Sequence, residues 1–307
     1  MKPIVVVGSI NSDLVVGAER IPRPGETILG DSFAVFPGGK GANQAVAVAK
    51  LGYPCSMIGK LGRDSFGADL RSRLVEAGVD AAAVGEAEGP SGVALITREA
   101  SGENSIVVVS GANALVSPSD IDAHRELILS AALVLVQLET PLDAVGALGE
   151  IAFRGGVPLM LDPAPAQSLP RELLKQLAWI TPNTTEAEIL LGASIDGFSL
   201  ERARSRAEAL LERGIRGVVL KMGEDGVYLA TAGGIRAHVP AFAVKACDTT
   251  AAGDAFNGGF GVALSEGLEP VAAARFASAV AAISVTRQGA QPSMPTRAEV
   301  DAFLLRW

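Results

Sequence analysis

The sequence predicts an α/β protein, a mostly parallel sheet flanked by helices with a small second sheet attached. Two observations predict it. Short β-rich runs recur between helix-like stretches, the pattern of βαβ units. Of the 307 residues 49% are hydrophobic and only 5% aromatic, so the core is built mainly from Val, Ala, Leu and Ile, as in strands covered on both faces. The length suits one α/β domain with an appendage, or about two domains.

Strands are expected over 3–10, 55–59, 132–138, 157–162, 179–182 and 217–222. The intervening helices are read in GANQAVAVAKLG, SFGADLRSRLVEAG, PLDAVGALGEIAFRGG and LERARSRAEALLERG. Each stops at a glycine able to take the left-handed cap conformation: Gly52, Gly78, Gly156 and Gly214. Gly233 and Gly234 mark the turn between strands near 226–231 and 236–244, and helices follow over 252–264 and 270–286. Two segments break the alternation. One runs from 13–16 through 27–36 around a Pro-Arg-Pro-Gly turn; the other, GVALITREASGENSIVVVSG, reads as a hairpin turning at Ala100, Ser101 and Gly102. Together, as about 12–37 and about 91–111, they form a small sheet that is either a lid over a site or an ordinary surface hairpin.

The formal net charge of −8 leaves no basic stripe to displace counterions, so nucleic acid is excluded as an expected partner. The two cysteines, Cys55 and Cys247, lie far apart with no CxxC spacing, which points to a cytosolic chain without disulfides or structural zinc. The first apolar run breaks at Asn11, and no later run reaches membrane-spanning length. With only two histidines, His124 and His238, catalysis would fall to carboxylates, Lys and backbone amides.

Five stretches carry candidate chemistry. PGGKGANQA places Gly38, Gly39 and Gly41 before a helix, where the backbone can approach a ligand closely, and Lys40 adds a cation. It is no Walker A loop, since Ala34 stands where the first glycine belongs and Gly follows the Lys. Asn11 and Asp13, two apart at the end of the first expected strand, share a face; they suit neighbouring hydroxyls of a polyol or an Asx turn. Glu139, after VLVQL, meets a ligand or caps the helix beyond Pro141. Asn183 and Glu186 form a helix cap, or position a hydrated divalent cation and phosphate oxygens.

The fifth stretch is DTTAAGDAF. Ala251, Ala252 and Gly253 precede a helix, so their amides can converge on anionic oxygens, and Asp254 stands beside them. As an N-cap Asp254 needs no small residues before it; as a base beside a transferring phosphoryl group it does. An aspartate near ~3.9 cannot fully ionise an alcohol near ~15.7, a gap of roughly 16 kcal/mol. Its workable role is to orient the hydroxyl and accept the proton late in a loose transition state. Asp248 is then a turn former or the holder of a cation.

SINSD, PGET, GGKGANQA, LGRDSFG, SGVAL, SGAN, QLE, DPAPA, TPNTTEAE, KMGEDG, DTTAAGDAFNG and TRQGAQPSMP occur in this order over nearly the whole chain. In this the chain resembles the ribokinase family, also called the PfkB carbohydrate kinases. The resemblance implies a single three-layer α/β/α domain over 1–307 with a β-sheet lid, dimeric through the lids, and ATP-dependent phosphorylation of the 5-hydroxyl of D-ribose. It places Asn11, Asp13, Gly39, Lys40, Asn43 and Glu139 on the sugar and makes Asp254 the base. It places Asn183, Glu186, Lys221, Gly223, Gly226, Gly253 and Ser278 on ATP and its hydrated Mg2+. Asp248, Thr250, Ser284, Arg287, Gly289 and Ser293 match a monovalent-cation site favouring K+. Ala251 stands where many relatives have Gly, Ser278 where they often have Asn or His near the adenine, and Lys221 where some have a small polar residue. A kinase for deoxyribose, another sugar or a nucleoside, and a silent sugar-binding protein on the same fold, are the alternatives.

Overall fold

The computed structural model describes residues 1–99, 104–193 and 199–307. In chain order its elements are β1 (Ile4–Val7), β2 (Asn11–Ala18), β3 (Ser32–Gly38), α1 (Lys40–Lys50), β4 (Cys55–Gly62), α2 (Ser65–Glu76), β5 (Val84–Ala87), β6 (Gly92–Glu99) and β7 (Asn104–Val109). There follow α3 (Pro118–Ala123), α4 (Arg125–Ser130), β8 (Leu133–Val136), α5 (Leu142–Arg154), β9 (Leu159–Leu161), α6 (Arg171–Gln176), β10 (Trp179–Ile180), α7 (Thr184–Leu191) and α8 (Leu200–Leu211). The chain ends with β11 (Gly217–Lys221), β12 (Val227–Thr231), β13 (Arg236–Val239), α9 (Ala252–Ser265), α10 (Pro270–Ser284) and α11 (Arg297–Leu304).

Nine strands form one sheet in the order β13-β12-β11-β10-β9-β8-β1-β4-β5. Neighbours are parallel from β5 to β11, and β12 is antiparallel to both β11 and β13. Alternation along the strands fills both sides. Ile4, Val6, Leu133 and Leu135 join an apolar cluster with α1, α9 and α10, whereas Val5, Val7, Val134 and Val136 join another with α5, α7 and α8. Helix, sheet and helix thus make three layers. The expected cap glycines Gly52, Gly78, Gly156 and Gly214 all take positive φ.

The strand expected over 3–10 ends earlier. The β1 ladder stops at Val7, and the chain leaves the main sheet through Gly8, where a Cβ would lie 2.1 Å from Oε1 of Gln137. Asn113 pins the exit: its Oδ1 accepts from the N–H of Ile10 (2.9 Å), and its Nδ2 donates to the carbonyl of Ile10 (3.2 Å) and to Oδ1 of Asn11 (2.7 Å). Asn11 and Asp13 therefore open β2 and do not end β1. Period-two spacing keeps them on one face, but of a different sheet.

That second sheet has the order β3-β2-β6-β7, with β2 parallel to β6 and the other pairs antiparallel. The expected turn at Ala100, Ser101 and Gly102 lies outside the described residues. The four-residue β5, the six-residue α3, α4 and α6, and the eight-residue α11 are additions to the expected list; elements of that length are too short to set up a readable hydrophobic period.

β1 is flanked by β4, the next strand of this sheet along the chain, and by β8, which comes later. The strand order reverses there, and at such a switch point the carboxyl ends of an open α/β sheet leave a crevice. Ser9 lies just beyond the end of β1, Gln137 and Glu139 just beyond β8, and Asp162 just beyond β9. Lys221 is the last residue of β11. The buried Ser9, Gln137 and Asp162 thus gather at this edge.

Candidate active site

Asp254 occupies the third position of α9, whose N-cap is Ala251. Its side chain caps nothing. Asn43 Nδ2 donates to Oδ2 (2.9 Å) and Gln44 Nε2 to Oδ1 (3.0 Å), so α1 grips both oxygens of a carboxylate that is only 5% exposed. Burial pushes the Asp254 carboxyl up to about 6; Asp162 pushes the same way, while Lys40 and the two amide donors oppose it. The result is an ionised, oriented acceptor at neutral pH with more proton affinity than a free aspartate.

The glycines before α1 serve the chain itself. A Cβ on Gly39 (φ 87°) would lie 2.7 Å from the amide nitrogen of Asn11, one on Gly41 2.7 Å from the carbonyl carbon of Gly8, and one on Gly38 2.2 Å from a carboxylate oxygen of Asp13. Beside the close approach expected for a ligand, the missing Cβ atoms allow α1 to approach the β1–β2 connection. The first-turn amides are correspondingly engaged, Lys40 N–H with Oε2 of Glu139 (3.2 Å) and Gly41 N–H with Oγ of Ser9 (3.3 Å). Glu139 Oε2 also accepts from the Ser9 hydroxyl. Glu139 therefore does not cap the following helix, whose N-cap Pro141 receives no side-chain bond.

Asp13 faces the same crevice from β2. Burial, then the charges of Glu139 and Asp254, push its carboxyl up to about 7 against the pull of Lys40. Burial works against the charged form of Lys40, but Asp254, Asp162, Glu139 and Glu186 together more than offset it and hold the ammonium above its ordinary range. Lys40 and Lys221 among these four carboxylates leave the crevice acidic overall, a field that favours hydroxyl donors and cations and leaves an anionic phosphate dependent on main-chain amides and accompanying cations.

The loop before α9 differs in detail from its expected form. Ala252 N–H donates to the carbonyl of Thr249 (3.2 Å), so among the described residues the amides of Ala251, Gly253 and Asp254 are the ones left at this helix start. Ala251 has φ 59°, and among the described residues it is the only non-glycine with positive φ. Holding an alanine there costs about 1–2 kcal/mol, the strain expected of a backbone shaped for a ligand. Lys221 points inward: Nζ pairs with Oδ1 of Asp162 at 3.0 Å and lies 3.3 Å from where a Cβ on Gly253 would stand.

Asn183 and Glu186 form a reciprocal capping box at the start of α7, with both hydrogen bonds at 2.8 Å. Oε1 of Glu186 has no protein partner among the described residues. Burial raises its carboxyl, and Lys221 opposes that most. Gly223 (φ 60°) and Gly226 (φ 88°) flank the turn after β11, and Ser278 lies buried on α10 with its Oγ unpartnered among the described residues.

Burial works against the charged form of Asp248, but the Thr250 side chain, the N–H groups of Gly289 (3.0 Å) and Thr250 (2.9 Å) and the charge of Arg98 outweigh it and hold the carboxyl below the ordinary value. It joins the 248–250 turn to the loop after α10. Arg287 turns away to Glu299 (2.6 Å), and the hydroxyls of Ser284 and Ser293 donate to the carbonyls of Ala281 and Ala290.

Four residues of the buried network escape sequence reasoning: Ser9, Gln44, Gln137 and Asp162. Gln137 Nε2 donates to Oε1 of Gln44 (2.8 Å), and Gln44 Nε2 donates to Oδ2 of Asp162 (3.1 Å) as well as to Asp254. The one available signal was position, since Ser9, Gln137 and Asp162 directly follow buried strands.

The pattern of the pfkB family carbohydrate kinases matches residues 1–297. Ribokinase of Haemophilus influenzae is 42% identical over 304 residues, covering 99% of this chain and 98% of that protein. Deoxyribokinase of Salmonella typhi is 37% identical over 303 residues, 98% of each chain. The structure of Arabidopsis thaliana ribokinase complexed with ribose and ATP superposes with a TM-score of 0.91 at 36% identity, covering 99% of this chain and 98% of that one. By a family match over nearly its whole length and by these identities, the chain belongs to the pfkB family of carbohydrate kinases.

Proposed function

We propose that this protein is an ATP-dependent ribokinase, transferring the terminal phosphoryl group of ATP to O5 of D-ribose. One observation carries the reading. A buried carboxylate, Asp254, is held on both oxygens at the helix start where the amides of Ala251 and Gly253 lack carbonyl partners. A binding protein has no need of such an acceptor.

In this reading Asn11, Asp13, Gly39, Lys40, Asn43 and Glu139 hold the sugar, and Asp254 aligns the primary hydroxyl. Even with its carboxyl at about 6, Asp254 lies roughly 13 kcal/mol short of ionising an alcohol near ~15.7. Proton transfer therefore accompanies bond formation to phosphorus, and Ala251 and Gly253 amides with Lys40 meet the charge on the equatorial oxygens. ATP lies toward Gly223, Gly226, Lys221 and Ser278. Magnesium fits beside Asn183 and Glu186: no group of three or more acid, His or Cys ligands exists among the described residues, which suits an ion that keeps its waters. It supplies charge neutralisation to the phosphates.

Asp248, Thr250, Ser284, Arg287, Gly289 and Ser293 form the candidate K+ site. The side chains of Asp248, Ser284, Arg287 and Ser293 already have protein partners, so main-chain carbonyls are the donors such a site would offer. The reading places the enzyme in the cytoplasm, as one domain whose lid is the four-stranded sheet. A coupled ADP-release assay over ribose, deoxyribose, fructose and nucleosides, in potassium and in sodium, tests the function. Ribose is expected to lead deoxyribose by about tenfold or more in kcat/KM, with faster turnover in potassium. No ADP release with any acceptor would leave the silent-binder reading standing, and equal rates in the two salts would remove the cation site.

The small sheet also exposes Phe33 (66%), Val107 (59%), Leu95 (48%) and Val35 (42%), and register places Leu95 opposite Val107. Such an apolar sheet face fits a twofold contact with a second copy. Sedimentation should give twice the 31.4 kDa chain mass; a monomer at micromolar concentration would exclude this interface.

A further inference from the structure

We infer that Gln44 and Asp162 form a positioning unit that aims the Asp254 carboxylate, with Lys221 as its counter-ion. The inference rests on the kinase reading above and adds two residues to it that touch neither sugar nor nucleotide in that reading.

The geometry allows one arrangement. Gln44 is 1% exposed, and its Nε2 carries two hydrogens, one donated to Asp254 Oδ1 (3.0 Å) and one to Asp162 Oδ2 (3.1 Å). Its Oε1 accepts from Gln137 (2.8 Å). Rotating the amide by half a turn would set its oxygen against two carboxylates and its NH2 against the NH2 of Gln137, so the orientation is fixed. A neutral amide thus lies between two buried acids and orients both. Asp162 in turn has a partner on each oxygen, the other being Lys221 Nζ (3.0 Å).

Lys221 Nζ lies 3.3 Å from where a Cβ on Gly253 would stand, so the series runs from beside the anion loop through Asp162 and Gln44 back to the base. Other structural roles are poorly served by this layout. A buried ion pair adds little net stability, and an apolar pair would fill the same space without a charge beside the base.

The charged groups around Asp254 are Lys40 from α1, Asp162 from the end of β9 and Asp13 from β2, with Lys221 on β11 acting through Asp162. Removing the Asp162 charge lowers the proton affinity of Asp254. Removing the Gln44 donor raises it, because that hydrogen bond favours the ionised form. The two substitutions therefore act in opposite senses, which general loosening of the fold would not produce.

The test compares Asp162→Asn and Gln44→Met with the native enzyme. The acid limb of kcat at saturating ribose should fall by about half a pH unit or more in Asp162→Asn and rise by about as much in Gln44→Met. In both, kcat should drop by about tenfold at the optimum, with ribose KM within about threefold. Titration of the Asp254 carboxyl by 13C NMR without substrates should show the same opposite shifts, whatever the protein phosphorylates. Limbs and NMR titrations that stay at native values, or move together, overturn the inference while native turnover preserves the kinase reading. If one variant does not fold, the shift in the other decides alone.

Discussion

Asp254→Asn is expected to lower kcat by about 10²–10⁴-fold while ribose and ATP affinities stay within a few-fold. Asparagine keeps the shape of the side chain, so the proposed sugar pocket of Asn11, Asp13 and Glu139 is undisturbed. It removes the proton acceptor, and its single oxygen can satisfy only one of the donors from Asn43 and Gln44. The pH dependence follows from the same group. With the Asp254 carboxyl at about 6, native kcat should rise as pH increases through about 6, and the residual activity of the variant should lack that limb. Single-turnover phosphoryl transfer over pH 5–8 measures both. Native-like turnover in Asp254→Asn would show that the proton leaves by another route.

The parts of this site that sequence reading found are those written as local words. Asn43, Glu139 and Asp254 sit in motifs whose residue types are unusual for a core. The cap glycines are legible for a similar reason, because a left-handed helix end strongly favours Gly. Gln44 is illegible for the opposite reason. It looks like one more helix residue, and its meaning comes from Asp162, Asp254 and Gln137, which are 118, 210 and 93 positions away.

The placement of Asn11 and Asp13 was half legible. Alternation assigns a face of a strand, but it cannot say to which sheet the strand belongs, and here Asn113 decides that from far along the chain. The glycines of GGKG read as room for a ligand. They also provide room for the β1–β2 backbone, a second use invisible without coordinates because both uses select against Cβ.

Asp13→Asn should produce two opposite effects in one protein: ribose KM about 10–10³-fold higher, and a folded state more stable at pH 8. The first follows from losing the charge-assisted hydrogen bonds to sugar hydroxyls that the proposed pocket assigns to Asp13, about 1.5–3 kcal/mol each. The second follows from linkage. Burial and the neighbouring acids Glu139 and Asp254 raise the Asp13 carboxyl to about 7 in the folded protein, above its value in the unfolded chain. Its contribution to stability is thus fully present below pH ~4 and lost as pH rises through about 7. At pH 8 the native protein holds this group ionised at a cost of about 2–4 kcal/mol, which a neutral amide avoids. The same protonation makes ribose KM of the native enzyme rise as pH falls through about 7, whereas KM of the variant stays flat. Thermal unfolding at pH 5 and pH 8, beside KM over the same range, separates the possibilities. A variant whose stability gain is no larger at pH 8 than at pH 5 would show that Asp13 titrates near its ordinary value. If its KM also matched the native value, ribose would not be held by this carboxylate, and the sugar would have to sit elsewhere along the crevice.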